Sequence, residues 1–513
     1  MLEPLSASVR PIDHVLAGDA DAPALLLRDR TIDYRSLEHA VGRVAAWLAD
    51  RAEPGARVAS WVGKGAVASV MPLAAPRAGL VHVPINPVLK RGQVQHILSD
   101  CGAVRLITNA GRAATLNPGD LPSTTHIADE QAVEAVLFGH GPALARSHAD
   151  PQALASILYT SGSTGRPKGV MLSHANLWLG AEAVAEYLEL APSDRVLGVL
   201  PLSFDYGQNQ LLSTWAAGGS VAPLDYLSAR DVIRAVERFE ITTLAGVPPL
   251  WVQLLDSDWP AETAARLTRL TNSGGALTRR LVHELRQRFA NARLFAMYGI
   301  TEAFRSTYLE PELIDARPES IGKAIPHAEV LVVRPDGSIT DPDEPGELVH
   351  CGPLVAQGYW RDAERTAQRF RPAPPASRYG GMAVWSGDRV RRDVDGFLTF
   401  IGRDDEMIKA SGTRISPTEI EEAAEATGLV FEAVACGVTD PASGQAIALT
   451  VRPRGPIEGD FEAQLRAALR ATLPNFMQPR DIIVRADLPR NANGKLDRVT
   501  ICGDMRTRIE VTP

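Results

Sequence analysis

The sequence predicts an α/β protein in two parts: a large N-terminal domain of layered, mainly parallel sheets and helices over residues 1–403, and a small C-terminal α+β domain over 404–513. Three observations carry this. Short apolar clusters such as ASILYT (155–160), RVLGVLP (195–201) and EVLVVRP (329–335) alternate with longer helical patterns, the rhythm of strands joined through helices. A chain of 513 residues exceeds one core at roughly 150 residues per domain. After Gly402-Arg403-Asp404-Asp405 the chain restarts with its own helix signal: Ser416 as N-cap, Pro417 in the first turn and Glu419 in the capping-box position.

Composition narrows the function classes. The apolar share is 45% and the charged share 22%, which is ordinary for a globular chain. A net charge of −8 argues against nucleic acid as a partner, because phosphate neutralisation calls for a basic face. Cys101, Cys351, Cys436 and Cys502 are scattered without CxxC spacing, so neither a zinc site nor a redox pair is expected, and four separate thiols suit a reducing cytoplasm. No segment reaches the roughly 18 consecutive apolar residues of a membrane span, and a cytoplasmic location follows as the expectation.

The first element with chemistry in it is YTSGSTGRPKGV (159–170). Glycines let backbone N–H groups approach phosphate oxygens, and Leu177, Ala181, Val184 and Leu188 mark a helix just beyond. The expected order is strand, glycine-rich loop, helix, with the helix N-terminus adding a favourable partial charge. Taken alone GSTG is an ordinary turn. The spacing excludes a standard P-loop, since Pro167 stands where its second glycine belongs.

TSGSTGRPKG resembles the phosphate-binding signature of the AMP-forming adenylating superfamily of acyl-CoA synthetases, amino-acid adenylation domains and luciferases. Further stretches similar to that family follow in order: NSGGAL (272–277), YGITE (298–302), GELVHCGPLVAQGYW (346–360), WSGDRV (385–390), GRDDEMIKASGTRISPTEIE (402–421) and PRNANGKLDR (489–498). The set FDYGQNQL, NSGGA, TEAFRSTYL and DEMIKASG is most like the acyl-CoA ligases associated with exosortase A gene clusters.

The resemblance implies activation of a carboxylic acid on ATP with loss of pyrophosphate, then transfer to a thiol, with ATP, Mg²⁺ and either CoA or carrier-protein pantetheine as cofactors. Such chemistry relies on positioning and electrostatic stabilisation at phosphorus. By resemblance Thr160, Ser161, Gly162, Ser163, Thr164, Gly165 and Lys168 hold the β and γ phosphates, and Glu302 holds the metal. Gly275, Ala276, Tyr298, Gly299 and Thr301 surround the adenine and the metal turn, while Asp388 and Arg403 grip the ribose. Lys495, in an Asn/Gly-rich turn, is the adenylation lysine; Asp405 is the hinge; Ser411 and Gly412 form the loop that replaces Lys495 for the second step.

The acid itself is left open. Phe204, Asp205, Asn209, Gly246, Ser273 and Arg305 are the candidate lining residues. A buried Asp205 needs a cation, and two are available: a substrate amine, as in amino-acid adenylation domains, or Arg305. Too few residues follow Lys495 for a carrier domain, so the thiol acceptor, CoA or an acyl or peptidyl carrier protein, is expected in trans. His174 is expected to be a satisfied structural histidine and not a base.

Overall fold

The computed structural model describes residues 9–160, 167–275, 277–403, 408–410, 413–440, 444–457 and 459–510. Among them three sheets form. The first runs in the order His126–Asp129, Arg105–Thr108, Arg57–Trp61, Val81–Pro84, Leu154–Thr160, Lys168–Ser173, parallel except for its last pair. The second has a parallel centre made of Ser220–Pro223, Arg195–Gly198, Thr243–Gly246, Arg269–Asn272 and Arg293–Tyr298. These strands alternate with helices whose apolar faces cover the sheet, as parallel pairing requires.

From Thr307 to Arg403 the same sheet continues antiparallel, through Thr307–Leu309, Ser320–Ala324, Leu398–Arg403, Met382–Arg392, Pro345–Cys351 and Glu329–Val333. The expectation of mainly parallel sheet therefore holds for the layered cores but not for this extension, whose connections lack the crossover helices that parallel strands demand. The small domain packs Val430–Asp440 against Gly444–Pro453 antiparallel and adds Asp481–Val484 in parallel. Its own apolar core includes Ile420, Ala424, Leu449, Leu465 and Leu469.

Three local expectations are corrected. The glycine-rich loop does not lead into a helix: it joins Leu154–Thr160 to Lys168–Ser173 as a hairpin with Thr160 opposite Lys168. The seven residues between them are too few for a crossover. The helix starts only at His174, capped by the Ser173 side chain, so the whole strand Lys168–Ser173 stands between the loop and the helix N-terminus. Ser416 does precede helix Pro417–Ala426, but its hydroxyl donates to the Ile401 carbonyl instead of capping, tying the helix start to the last strand of the large domain.

The thiols are likewise not all separate. Cys436, on Val430–Asp440, is disulfide-bonded to Cys502, on helix Arg498–Glu510, with a Cα separation of 5.8 Å. Sixty-six residues of sequence separate them, a distance at which no spacing motif signals the pair. Cys101 and Cys351 are free and buried. His174 is 2% exposed and its Nδ1 accepts from the Ile12 backbone N–H, with burial lowering its pKa to about 4. Among the described residues no helix is long and apolar enough to cross a membrane.

Candidate active site

The C-terminal ends of the parallel strands and the hairpin converge on one cleft, the usual place for a ligand in an α/β sheet. Lys168 opens the second hairpin strand, and its Nζ lies 2.9 Å from Glu302 Oε1 and 2.7 Å from the Tyr359 hydroxyl. Tyr359 in turn donates to Glu302 Oε1 at 2.6 Å. Burial alone would raise the Glu302 carboxyl. The Lys168 charge and these two hydrogen bonds outweigh it and hold the pKa at about 2, so Glu302 is an anion across the working range. A single ionised carboxylate suits Mg²⁺, which takes one or two protein oxygens plus substrate phosphate oxygens. Thr160 brings a buried hydroxyl without a hydrogen-bond partner among the described residues. Ser161, Gly162, Ser163, Thr164 and Gly165 lie outside the described residues, as do Ala276, Asp405, Ser411 and Gly412.

The second cluster is built by register. Asp388 and Arg403 are directly opposite on neighbouring antiparallel strands, and Arg403 Nε lies 3.0 Å from Asp388 Oδ1. The hydroxyl of Tyr298, at the end of Arg293–Tyr298, donates to Asp388 Oδ2. Burial raises the Asp388 pKa and Arg403 offsets part of the rise. Gly299 follows with backbone close to Arg305, where a Cβ would meet the Arg305 Cα at 3.1 Å. Gly275 accepts from the Asn272 side chain through its carbonyl and borders Pro248.

The third cluster answers the question left open for Asp205. Asp205 starts helix Asp205–Ala216 just after Phe204. Its Oδ2 pairs with Arg305 Nη1 at 3.0 Å, and its Oδ1 accepts from the Thr301 hydroxyl at 3.0 Å. Asp205 is 3% and Arg305 1% exposed. Thr301, expected at the nucleotide, thus spends its hydroxyl on the acyl side. Gly246 is packed against Trp251, whose ring a Cβ there would overlap at 2.6 Å. Trp251 is itself fixed by an indole N–H donated to Asn272 Oδ1 at 3.1 Å. Gly246 therefore admits an aromatic side chain instead of lining open space. Ser273 and Asn209 are buried beside the site.

Lys495 reaches this cleft from the small domain. Its ammonium lies 4.7 Å over the Phe204 ring, and its side chain crosses Gly274, where a Cβ would stand 2.5 Å from Cε and 2.7 Å from Nζ. Burial lowers its pKa to about 8, against a raising pull from Asp205. The turn that presents it is held by Asn491, whose side-chain oxygen accepts from the Lys495 backbone N–H at 3.1 Å. It is also held across the domain boundary: Asn86 donates to the Ala492 carbonyl at 2.7 Å and to Asn493 Oδ1 at 3.3 Å.

Three participants escaped the sequence reading. Tyr359 lies in GELVHCGPLVAQGYW, read only as structural, yet its hydroxyl joins Lys168 to Glu302. Gly274 lies within NSGGAL; its φ of +79° makes it a glycine-only position, and the only signal of it in the sequence is the glycine pair itself. Asn86 carries no motif signal, because its role exists only once the two domains meet.

Fold and site together define an adenylating enzyme, and the chain belongs to the AMP-binding enzymes: that family matches residues 12–360, and the AMP-binding enzyme C-terminal domain matches 419–495. Among similar proteins, the L-proline–[L-prolyl-carrier protein] ligase of Pseudomonas fluorescens is 29% identical over 500 residues, covering 95% of this chain and 97% of that protein. The probable non-canonical nonribosomal peptide synthetase CymA of Salinispora arenicola is 30% identical over 96% of this chain, which spans only 6% of that protein's length. The crystal structure of ATP-bound MatB from Rhodopseudomonas palustris superposes with a TM-score of 0.86 at 26% identity, covering 96% of this chain and 98% of that one.

Proposed function

We propose that the protein is an AMP-forming acid–thiol ligase: it joins a carboxylic acid to the α-phosphate of ATP, releases pyrophosphate, and passes the acyl group to the thiol of CoA or of a separate carrier protein. The observation that carries this reading is Lys495 threaded over Gly274 toward Phe204, a cation delivered by one domain into a cleft of the other. Its ammonium offsets negative charge as the carboxylate attacks phosphorus. Lys168 and the Thr160 hydroxyl hold the departing phosphates, Asp388 and Arg403 the ribose, and Tyr298 and Gly275 the edge of the base. Mg²⁺, when bound, neutralises phosphate oxygens, and Glu302 is the residue that would hold it. Tyr359 keeps Lys168 and Glu302 in register with one another.

For the second step Lys495 has to leave. Residues 1–403 and 404–513 are then the moving units, with Asp405 as pivot and Ser411 and Gly412 on the loop that takes its place. Similarity over nearly the full length of a proline–carrier protein ligase supports a carrier-protein thiol as one acceptor. The stretches FDYGQNQL, NSGGA, TEAFRSTYL and DEMIKASG support a likeness to the exosortase A-associated acyl-CoA ligases, and a cytoplasmic setting suits the chemistry.

The test is acid-dependent exchange of pyrophosphate into ATP over a panel of fatty, aryl, hydroxy and amino acids. Exchange with at least one acid, abolished in Lys495→Ala while ATP binding is kept, is expected. Exchange at the wild-type rate in that variant removes Lys495 from the mechanism.

A further inference from the structure

Helix Asp205–Ala216 is buried along nearly its whole length yet carries a polar stripe. Tyr206, Asn209, Gln210, Ser213 and Thr214 recur at i, i+3, i+4, i+7 and i+8, one helical face, and with Arg305 they line a single small cavity. Two of these side chains are satisfied: the Tyr206 hydroxyl lies 2.6 Å from the Thr271 hydroxyl and 2.7 Å from its carbonyl, and Ser213 donates to the Asn209 carbonyl at 2.6 Å. The rest are not. Asn209 Oδ1, both amide atoms of Gln210, the Thr214 hydroxyl, and Nε and Nη2 of Arg305 have no hydrogen-bond partner among the described residues. All four residues are at most 6% exposed. Buried polar atoms are ordinarily paired, and several unpaired ones around one cavity point to a ligand that pairs them.

The charges decide which ligand. The Asp205 charge is already balanced by Arg305, and Thr301 donates to its other oxygen, so a substrate ammonium would enter as excess buried positive charge beside the guanidinium. The guanidinium charge is in turn already balanced by Asp205. A second substrate carboxylate would thus enter as excess buried negative charge, which is costly without a further cation. A neutral oxygen meets neither obstacle: it accepts from Arg305 and, as a hydroxyl, donates to Asn209 Oδ1 or the Gln210 amide oxygen. Size agrees, since the cavity leaves about 20 Å³ for the centre of a water-sized group, room for one oxygen between walls that include Val196, Ala245 and Met297.

We propose that this cavity is the distal acyl subsite, and that it selects a short carboxylic acid bearing a neutral hydroxyl or carbonyl oxygen and no amino group. The proposal rests on the adenylating activity argued above. Arg305 links the two regions, with Nη1 on Asp205 and its guanidinium over the Tyr206 ring at 4.5 Å.

Pyrophosphate exchange with the full chain tests it on acids of one length: butanoate, its 2-, 3- and 4-hydroxy forms, 3-oxobutanoate, 2-aminobutanoate and succinate. One hydroxy or oxo acid is expected to exceed butanoate, the amino acid and the diacid by at least ~10-fold in kcat/KM, because a site built to hydrogen-bond rejects an analogue lacking the group. In Gln210→Leu that ratio is expected to fall to within about threefold of unity, with Gln210→Asn retaining part of it. The ratio is internal to each variant and does not depend on how much of it folds. Preference for 2-aminobutanoate, succinate or butanoate in the wild type overturns the proposal and leaves adenylation standing; so does an unchanged ratio in Gln210→Leu. Exchange with no acid, in this set or the wider panel, overturns both.

Discussion

Two lysines of the candidate site, Lys168 and Lys495, have surroundings that differ in kind. Lys168, on the hairpin of the large domain, has a carboxylate and a phenol within 2.9 Å. Lys495, on a turn of the small domain, pairs with no carboxylate among the described residues and rests over the Phe204 ring. The first is a resident cation, neutralised and rigid. The second is a buried cation brought in from the small domain, with Asp205 acting on it only at a distance among the described residues, which is costly at rest and useful when negative charge develops at that point. On the proposed mechanism Lys495 is needed for only one of two steps and has to be removable, and a stack on an aromatic ring, worth about 0.5–2 kcal/mol, releases more readily than a buried ion pair.

The largest effect that can break this contrast is Lys495→Ala. Adenylation is expected to fall about 10³-fold or more, whereas thiol transfer from a synthetic acyl-adenylate stays within roughly tenfold of wild type, since the lost interaction belongs to the first transition state alone. Equal losses in the two half-reactions would merge the roles of the two lysines. Next comes Lys168→Met. It strands Glu302, so about 2–4 kcal/mol of stability is expected to go, somewhat less than for a fully buried pair because Lys168 keeps 17% of its side chain exposed. Adenylation drops about 10²-fold with it. Denaturant unfolding reads the first quantity, and Lys495→Ala serves as the comparison, with a loss expected to be no more than the ~0.5–2 kcal/mol of its ring stack.

The pH profile sharpens the contrast further. With the Lys495 pKa lowered by burial to about 8, the ammonium is present below that pH and lost above it. Adenylation is therefore expected to decline about tenfold per pH unit beyond pH 8, with no such limb in thiol transfer from the pre-formed adenylate. Lys495→Arg should move the limb out of the accessible range. The smallest expected effect is Asn86→Ala. Losing the two bonds to Ala492 and Asn493 removes about 1 kcal/mol from the closed arrangement, roughly a fivefold loss in adenylation, and none in the second step.

Much of this site is legible in the chain. The glycine-rich stretch, Glu302, Asp388, Arg403 and Lys495 are all separated by long segments, yet each sits in a local pattern tied to a strand end or a turn, and Asp388 and Arg403 are brought face to face simply by antiparallel register. What local patterns could not decide was partnership. Asp205 had two candidate cations, and only packing put Arg305 on it. The polar stripe from Tyr206 to Thr214 was readable as helical spacing, but its burial was not, because the sheet and helices that cover it come from elsewhere in the chain. The hairpin at 154–173 departs from the expected strand, loop, helix order for a related reason: it exists through the pairing of Lys168–Ser173 with Leu154–Thr160, which local patterns do not carry.

The amino-acid sequence by itself determined the α/β class, the two-part division, and the residue types available for nucleotide chemistry, because these follow from periodicity, turn residues and motif spacing along one dimension. Only the tertiary structure decided that Cys436 meets Cys502, that Tyr359 joins Lys168 to Glu302, that Asn86 grips the turn carrying Lys495, and that Arg305 neutralises Asp205. Each of these joins residues far apart in the chain, and such a contact is fixed by how sheets and domains pack, a property that no local window of sequence contains.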